Sequence, residues 1–434
     1  MFIRAATATV LLAATAAAPA PTAQVSPAEL RSTITALVGF GTRHTASDTV
    51  SPTRGIGAAR RWTAAKFARF SQDCGGCLTI ETPSQTVTGA RLPTPTQIVD
   101  VLAIQRGTSD PDRVVIIAGH IDSRVTDVMD TTSDAPGAND DGSGTAAVIE
   151  AARVLSRHKF AATIVYAVLS GEEQGLYGGA LLAAEAKRRG WKVEADLNND
   201  IIGNTTGSGG VKDDGVVRIF SEGTKATETP EQAARRRYNG GELDSPARNL
   251  ARYVALLGPK AGLKVEMVYR TDRYGRGGDQ VPMLEAGYPA IRFTERQENY
   301  DRQHQTLRTE AGKVYGDTID GVDFSYLAKV TRLNVATLAA LATAPAPPTG
   351  VTSEGALKHD TVLKWQPVAG AAKYRVWWRS TTSPSWTNHL DSAAGATTLT
   401  VRGIDIDTWF FGVSAIGADG AESPVVFPGP AGAF

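Results

Sequence analysis

Cysteine is nearly absent from this chain, which has only two among its 434 residues, Cys74 and Cys77. They stand in the short sequence Cys-Gly-Gly-Cys. Two thiolates alone make an incomplete zinc site, because structural zinc takes four ligands. No thioredoxin-like strand and helix pattern surrounds the pair, which disfavours the alternative of a redox centre. In an exported chain, the sequence therefore predicts a tight local disulfide.

An excess of charge is also missing. Lysine plus arginine and aspartate plus glutamate each total 45, so the formal net charge is zero. Such a chain has no overall field that attracts nucleic acid or an anionic membrane surface. The basic run Arg235-Arg236-Arg237 lies in a polar segment and is interpreted as part of a solvated loop. We expect no nucleic-acid partner.

Long apolar runs are missing after the N-terminus. The one candidate, from Ala5 to Ala18, follows Arg4 and is rich in alanine and threonine. It is shorter than the roughly 20 apolar residues that a membrane span needs. Small residues up to Ala23 offer signal-peptidase sites. We predict a signal peptide at residues 1–23, no membrane anchor, and an exported protein that is secreted or periplasmic.

Strand and helix patterns alternate between residues 24 and 343. Strands are predicted at 97–105, 113–118, 163–169, 192–197, 216–221, 265–269 and 290–294. Helices are predicted at 27–40, 57–70, 145–157, 175–189, 246–257 and 322–341. Continuous apolar strands are buried on both faces. The predicted fold is therefore α/β, with a largely parallel sheet sandwiched by helices.

The composition changes at Ala344. Residues 344–349 form a proline-rich linker, which is predicted to be extended and semi-rigid. Short strands are then predicted at 361–365, 372–379, 397–401 and 409–415. They indicate a small all-β sandwich over residues 350–434. A fibronectin type III module is what this part resembles, in Pro347-Pro348-Thr349-Gly350-Val351, Trp365, Tyr374-Arg375-Val376 and Phe411-Gly412-Val413-Ser414-Ala415. Such modules bind polysaccharide or protein or act as spacers, and the fold does not decide between these roles.

Adjacent carboxylates at Asp140 and Asp141 precede a helical pattern. An aspartate there is a common helix cap, which is the simplest interpretation of the pair. However, the ends of several predicted strands also carry metal-ligand types. These further residues are His120, Asp122, Glu172, Glu173, Asp200 and, in a later loop, His304. The carboxyl ends of parallel strands share one edge of a sheet, and a carboxylate cluster needs a compensating cation. The combination favours a metal site.

The motifs around these residues resemble those of the co-catalytic di-zinc aminopeptidases. They are Gly119-His120-Ile121-Asp122-Ser123, the run from Pro136 to Gly144, Gly171-Glu172-Glu173, Asn199-Asp200 and the loop around His304. The match in order and spacing covers roughly residues 95 to 310. The resemblance implies the zinc exopeptidase fold and two zinc ions per chain.

The resemblance also implies roles for single residues. Asp140 would bridge the two ions, with His120 and Asp200 at one ion and Glu173 and His304 at the other. Glu172 would be the general base. The family pattern further implies a non-proline cis peptide between Asp140 and Asp141.

The chemistry of zinc fits these roles, because the ion lowers the pKa of a bound water to near 7. Glu172 would then move the proton from the water to the leaving amine. Asp122 is suited to orient the second nitrogen of His120, and Asp141 to orient the backbone beside the bridge. Tyr274 is the candidate for stabilising the oxyanion, since relatives often carry a tyrosine in this region. Gln280 stands where relatives commonly have histidine.

We therefore expect an exported exopeptidase that hydrolyses the N-terminal residue of peptides with a free N-terminus. A carboxypeptidase with the same metal core is an alternative, and an arginine cluster beside the metals would favour it. A glutaminyl cyclase-like transferase holds one zinc, so retention of every ligand argues against it. A non-enzymatic adhesion protein is disfavoured by the presence of Glu172. His44, His158, His359 and His389 are interpreted as structural.

Overall fold

A computed structural model describes residues 20–429. Most of the predicted signal peptide, residues 1–19, lies outside this range. Within it, no helix combines the length and the apolar character needed to cross a bilayer. A disulfide joins Cys74 and Cys77, as the sequence predicts.

The helices cover most of the segments with helical spacing. They are α1 (Pro27–Val38), α2 (Gly55–Asp73), α3 (Gly142–Leu155), α4 (Glu172–Gly175), α5 (Tyr177–Arg189), α6 (Pro230–Asn239), α7 (Pro246–Leu257), α8 (Gln280–Glu285) and α9 (Phe324–Thr343). Side chains at the N-termini of several helices accept hydrogen bonds from backbone N–H groups, which would otherwise lack partners. Ser26, Ser245 and Asp323 do so for α1, α7 and α9.

The strands form one large sheet and several small ones. The strands before α9 are β1 (Thr79–Glu81), β2 (Ser84–Gly89), β3 (Leu92–Val99), β4 (Val101–Gln105), β5 (Asp110–His120), β6 (Ala162–Leu169), β7 (Lys192–Asn199), β8 (Val216–Phe220), β9 (Lys264–Val268), β10 (Ala290–Glu295), β11 (Arg308–Glu310) and β12 (Lys313–Tyr315). The later strands are β13 (Thr352–Glu354), β14 (Thr361–Lys364), β15 (Ala371–Ser380), β16 (Asn388–Asp391), β17 (Thr398–Val401) and β18 (Trp409–Gly417).

The large sheet has the order β1-β4-β6-β5-β7-β10-β8-β9. Its centre is parallel, since β5 pairs with both β6 and β7, and β7 pairs with β10. Every residue of β6 is buried, which matches its continuous apolar sequence. Helix α3 is also buried along almost its whole length. The predicted α/β architecture is confirmed.

Two predicted elements are divided in the structure. The strand expected at 97–105 breaks at Asp100, because β3 pairs with β2 whereas β4 pairs with β6. Asp100 is fully buried there, and its carboxylate accepts the backbone N–H of Ser170. The helix expected at 175–189 is interrupted at Leu176, whose φ is 59°.

The polar segment with the basic run contains a helix where the sequence indicated a loop. Pro230 occupies the first turn of α6, and Thr229 and Gln232 form a reciprocal capping box. Arg235, Arg236 and Arg237 therefore lie on a helix. The interpretation of this run as a loop was wrong because the capping residues were overlooked.

The C-terminal residues form two antiparallel sheets, β13-β14-β17 and β16-β15-β18. Buried side chains of both sheets share one core, including Leu363, Tyr374, Val376, Val401 and Val413. This part of the chain, from β13 to the end of the described residues, is called the C-terminal module below. The predicted all-β sandwich is confirmed.

The linker packs against the α/β domain. Ala344, Pro345 and Pro348 are buried, and Arg113 donates to the carbonyl oxygen of Ala344 at 2.6 Å. The sequence predicted an extended, semi-rigid linker, and the structure adds that part of the linker is buried. Arg113 of the α/β domain thus anchors the start of this segment.

Candidate metal centre

The predicted ligands lie where parallel strands end and α3 begins. His120 is the last residue of β5, and Asp200 directly follows β7. Glu172 and Glu173 open α4 after Gly171, whose φ of 84° suits glycine. Asp140 precedes α3 by two positions. Because β5, β6 and β7 are parallel neighbours, their carboxyl ends bring these side chains to one edge of the sheet.

The ligand-type atoms fall into two groups. His120, Glu172 and Asp200 form one group, and Asp140, Glu173 and His304 form the other. Within each group the atoms lie within 4.8 Å of one another. The structure therefore brings all six predicted metal-centre residues together, including His304 from a distant loop.

Asp140 connects the two groups. One of its oxygens, Oδ1, lies 3.3 Å from His120 Nε2. The other, Oδ2, lies 2.9 Å from His304 Nε2. Glu172 Oε2 is farther from His120 Nε2, at 4.0 Å. Asp140 therefore lies nearer than Glu172 to the ring nitrogen of His120.

The donor atoms fit a cation better than they fit each other. His120 Nε2 and Glu173 Oε1 are buried and form no hydrogen bond within the described chain. Yet Glu173 Oε1 lies only 3.0 Å from His304 Nε2. Burying polar atoms close together without a well-aligned hydrogen bond between them lowers the stability of the fold. Imidazole nitrogens and carboxylate oxygens are ligands of zinc, so the residues present suit that ion.

The charge balance supports the same conclusion. Burial raises the pKa of Glu172 well above its usual value, and the carboxylates of Asp200 and Glu173 add to this effect. Burial lowers the pKa of His304, but Glu173 and Asp140 outweigh it and raise this pKa to about 10. Without a cation, the centre therefore favours bound protons. A divalent cation replaces such protons.

Asp122 fixes the turn that carries Glu172 and Glu173. Its carboxylate accepts the backbone N–H groups of Gly171 at 2.9 Å and Glu173 at 3.1 Å. His120 Nδ1 lies 3.1 Å from the carbonyl oxygen of Asp122, and 3.6 Å from its carboxylate. Asp122 therefore orients the histidine chiefly through its backbone and the glutamate turn through its side chain.

Asp141 orients backbone groups on three elements. Its carboxylate accepts N–H groups from His120 at 3.0 Å, Gly144 at 2.8 Å and Ile201 at 3.3 Å. The peptide bond between Asp140 and Asp141 is cis. Asp141 is thus both the N-cap of α3 and a brace for the strand end at His120.

Arg124 and Gln303 contact the ligands and were not singled out from the sequence. Arg124 Nε lies 2.8 Å from Glu173 Oε2, and Arg124 Nη2 lies 2.6 Å from His304 Nδ1. Gln303 donates to Asp140 Oδ2 at 3.0 Å. Arg124 stands two residues after Asp122, and Gln303 directly precedes His304. Proximity to a motif residue was the only sequence signal for either.

A buried polar chain leads away from Asp200. Arg292 is fully buried, and its Nη1 lies 2.7 Å from Asp200 Oδ2. It also donates to Asp272 at 3.4 Å. Gln280 donates to Asp272 at 2.6 Å and accepts from Asn198 at 3.1 Å. Gln280 thus positions a partner of Arg292.

Tyr274 lies at the surface. It is 87% exposed, and the Arg270 guanidinium lies 5.3 Å from the centre of its ring. No hydrogen bond joins Tyr274 to the metal-centre residues within the described chain. Its assignment as the oxyanion stabiliser stays a prediction.

A mostly parallel α/β sheet with two groups of zinc-type ligands at its strand ends defines a metal-dependent hydrolase. The chain belongs to peptidase family M28, because the model of that family matches residues 100–322. It is 47% identical to a "probable zinc metalloprotease" of Leptosphaeria maculans, over 94% of this chain and 95% of the relative. The protein is therefore a zinc metallopeptidase.

Solved structures show the same fold at low identity. The LapA aminopeptidase of Legionella pneumophila is 20% identical, with a TM-score of 0.53 over 74% of each chain. A glutaminyl cyclase of Porphyromonas gingivalis is 18% identical, with a TM-score of 0.50 over 73% of this chain and 98% of that one. These similarities support the architecture and leave the reaction to be argued from the site.

Proposed function

We propose that this protein is a di-zinc aminopeptidase that removes the N-terminal residue of peptides. The observation that carries the proposal is the position of Asp140, whose two oxygens face different histidines. A single carboxylate between two ligand groups is the arrangement that two cations can share. His120 and Asp200 would hold one ion, Glu173 and His304 the other.

Bound zinc supplies a Lewis acid that polarises the substrate carbonyl and makes a water acidic near neutral pH. Glu172 would take a proton from the attacking water and return it to the leaving amine. Its side chain is 12% exposed, so it is in reach of substrate. The backbone N–H groups of Glu172 and Glu173 donate hydrogen bonds to the Asp122 carboxylate, which keeps Glu172 close to His120.

The two groups of ligands support a two-ion enzyme over a one-ion cyclase. A glutaminyl cyclase-like transferase needs one zinc, whereas every residue of both groups is present here. The fold similarity to a cyclase does not change this inference, because fold alone does not determine chemistry.

A carboxypeptidase is the second candidate, because arginines do lie beside the metal centre. Arg124, Arg273 and Arg292 each approach a predicted ligand. However, acidic groups already engage them, since Arg273 pairs with Asp272 and Glu298. Arg124 is 17% exposed and is the one most available to a substrate carboxylate. The aminopeptidase remains the leading proposal because these charges are largely neutralised.

A comparison of blocked substrates tests the direction of attack. The zinc-loaded enzyme should hydrolyse an aminoacyl anilide and a C-terminally amidated dipeptide, but not their N-acetylated forms. Equal hydrolysis of free and N-acetylated substrates would refute the aminopeptidase. Cleavage of N-acetylated peptides that requires a free C-terminal carboxylate would instead establish the carboxypeptidase.

We further propose that the chain is exported and that the C-terminal module is a fibronectin type III domain. Support for export comes from the apolar run before Ala18 and the small residues that follow it. N-terminal sequencing of protein from the culture medium tests this proposal. A new N-terminus near residue 24 is expected, and retention of Met1 in a cell-associated protein would contradict it.

A further inference from the structure

The C-terminal module is fastened to the α/β domain by a buried ion pair. Arg379 Nη2 of the module lies 2.7 Å from Asp244 Oδ2, with the two side chains 2% and 1% exposed. Arg252 lies 2.8 Å from the other oxygen of Asp244. Because Asp244 lies between two guanidinium groups, loss of its charge would leave both of them buried without an acidic partner. Such losses are strongly destabilising.

Aromatic side chains of the module complete this contact. Trp386 donates through Nε1 to Asn249 at 3.1 Å. The guanidinium groups of Arg252 and Arg379 lie 5.8 and 5.1 Å from the centre of its ring. Cation–π contacts of this kind are stronger when solvent is excluded. The module therefore docks on the α/β domain at one defined interface, which is called the seat below.

Two glycines permit the close approach at this seat. A Cβ at Gly240 would stand 2.5 Å from the Phe410 ring, and one at Gly241 would stand 2.8 Å from the Phe427 ring. Both glycines have positive φ, 77° and 100°, which other residues adopt poorly. The segment from Gly240 to Arg252 is called the docking segment below.

Helix α6 ends where the docking segment begins. It has ten residues, and none of them is buried. An isolated helix of this length is marginal in water. The contacts that hold it include its capping box, the pair between Arg236 and Glu228, and the docked module at Gly240. Its last turns carry Arg235, Arg236 and Arg237.

We propose that this arginine run is a proteolytic modification site that the docked C-terminal module protects. A trypsin-like protease needs an extended chain, so the folded helix is a poor substrate. When the module leaves the docking segment, the C-terminal end of α6 loses its anchor and the run becomes accessible. Hydrolysis then breaks the peptide bond after one of the arginines. Water supplies the hydroxyl group of the new carboxyl terminus and a proton to the new amine.

Helix α5 provides an internal comparison. It ends in a similar run, Lys187-Arg188-Arg189. However, α5 buries Leu181, Leu182 and Ala186, whereas α6 buries none of its residues. Local opening is rarer where apolar side chains are buried. A protease with basic specificity should therefore cut α6 well before α5.

Limited trypsin digestion of the full, zinc-loaded chain tests the proposal. Asp244→Asn should speed cleavage within residues 235–237 at least tenfold, as measured by mass spectrometry of the fragments. Arg375→Gln is the matched control, since it breaks a pair with Asp391 inside the module. That variant should be cut at the wild-type rate. Equal cleavage rates in all three proteins, or first cleavage at residues 187–189, would overturn the proposal.

A second variant guards against global unfolding. Trp386→Ala removes the module's hydrogen bond to Asn249 and should produce the same cut while the far-ultraviolet circular dichroism stays unchanged. In wild-type protein, low urea should expose the same site before peptidase activity is lost. The reason is that the docking segment lies near the amino ends of the central strands, away from the metal centre. Loss of activity before any cut at α6 would contradict the protective role of docking.

Discussion

At the metal centre, Asp140 and Asp141 are neighbours with different tasks. Asp140 directs its oxygens at His120 and His304. Asp141 directs its oxygens at backbone N–H groups, including that of Gly144. The cap interpretation that the sequence allowed therefore holds for Asp141, while Asp140 serves the ligand groups. One acidic pair combines both functions.

Replacing Glu172 with glutamine separates proton transfer from metal binding. The glutamine has the same size but cannot accept the proton. We expect kcat/KM to fall by about 10²- to 10⁴-fold, the usual contribution of a general base. Zinc content, measured by mass spectrometry, should match that of the wild type. Loss of one zinc together with the activity would show that Glu172 is a ligand instead.

Glu194 should give the fold a pH dependence of its own. Burial raises the pKa of Glu194 to about 7, although Arg113 lies 2.6 Å away and favours the ionised form. The folded state therefore holds this proton more tightly than the unfolded state does. Stability should fall as the pH rises from 4.5 to about 7 and then stay level. The loss is about 3 kcal/mol at most, at 1.36 kcal/mol per pH unit.

Chemical denaturation at pH 5 and pH 8 measures this effect. The wild type should lose more stability than Glu194→Gln between the two pH values, because the variant has no proton to release. Identical pH profiles would mean that Arg113 keeps Glu194 ionised throughout this range.

Among the elements, the N-terminus of α3 is pressed against the sheet. A Cβ at Gly144 would stand 2.1 Å from the carbonyl oxygen of Asn199 and 2.3 Å from Asp141 Oδ2. Gly144→Ala should therefore destabilise the fold by about 1 to 3 kcal/mol, as overpacked sites do. Gly209→Ala is the control, because a Cβ there meets nothing within 4 Å. Equal unfolding midpoints for the two variants would contradict this close packing.

The central strands and the main helices were predictable because their apolar periodicity is strong. Helix α7 has its predicted bounds, Pro246–Leu257. Short edge strands such as β1 and β11 were missed, since three residues carry little periodicity. The break at Asp100 was missed because it depends on a change of strand partner. Helix α6 was missed because it buries nothing and is signalled only by its cap.

The metal centre was predictable as a set of residues, since its motifs lie at strand ends. Their supports were not. Arg124 and Arg292 reach ligands from a loop and from a neighbouring strand, and no spacing rule connects them to Glu173 or Asp200. The arginines that neutralise carboxylates around the centre are a property of the packed fold.

For the whole molecule, the carboxyl ends and the amino ends of the central strands have different functions. The strand ends at His120 and Asp200 carry the metal centre. The amino ends of these strands, near Arg113 and Glu194, border a cleft of about 640 Å³. Residues of the linker and of the C-terminal module also line this cleft. This cleft is therefore remote from the metal centre. Variants at the docking segment should consequently affect stability and protease resistance more than turnover.

The zinc content of Asp140→Asn, compared with that of Asp141→Asn, tests the central claim most directly. The claim is that Asp140 alone connects two cation sites. Elemental analysis should find about two zinc ions per wild-type chain. Asp141→Asn should retain them, because asparagine still caps α3. Asp140→Asn should lose at least one ion. One zinc in the wild type, or equal zinc in both variants, would contradict the account.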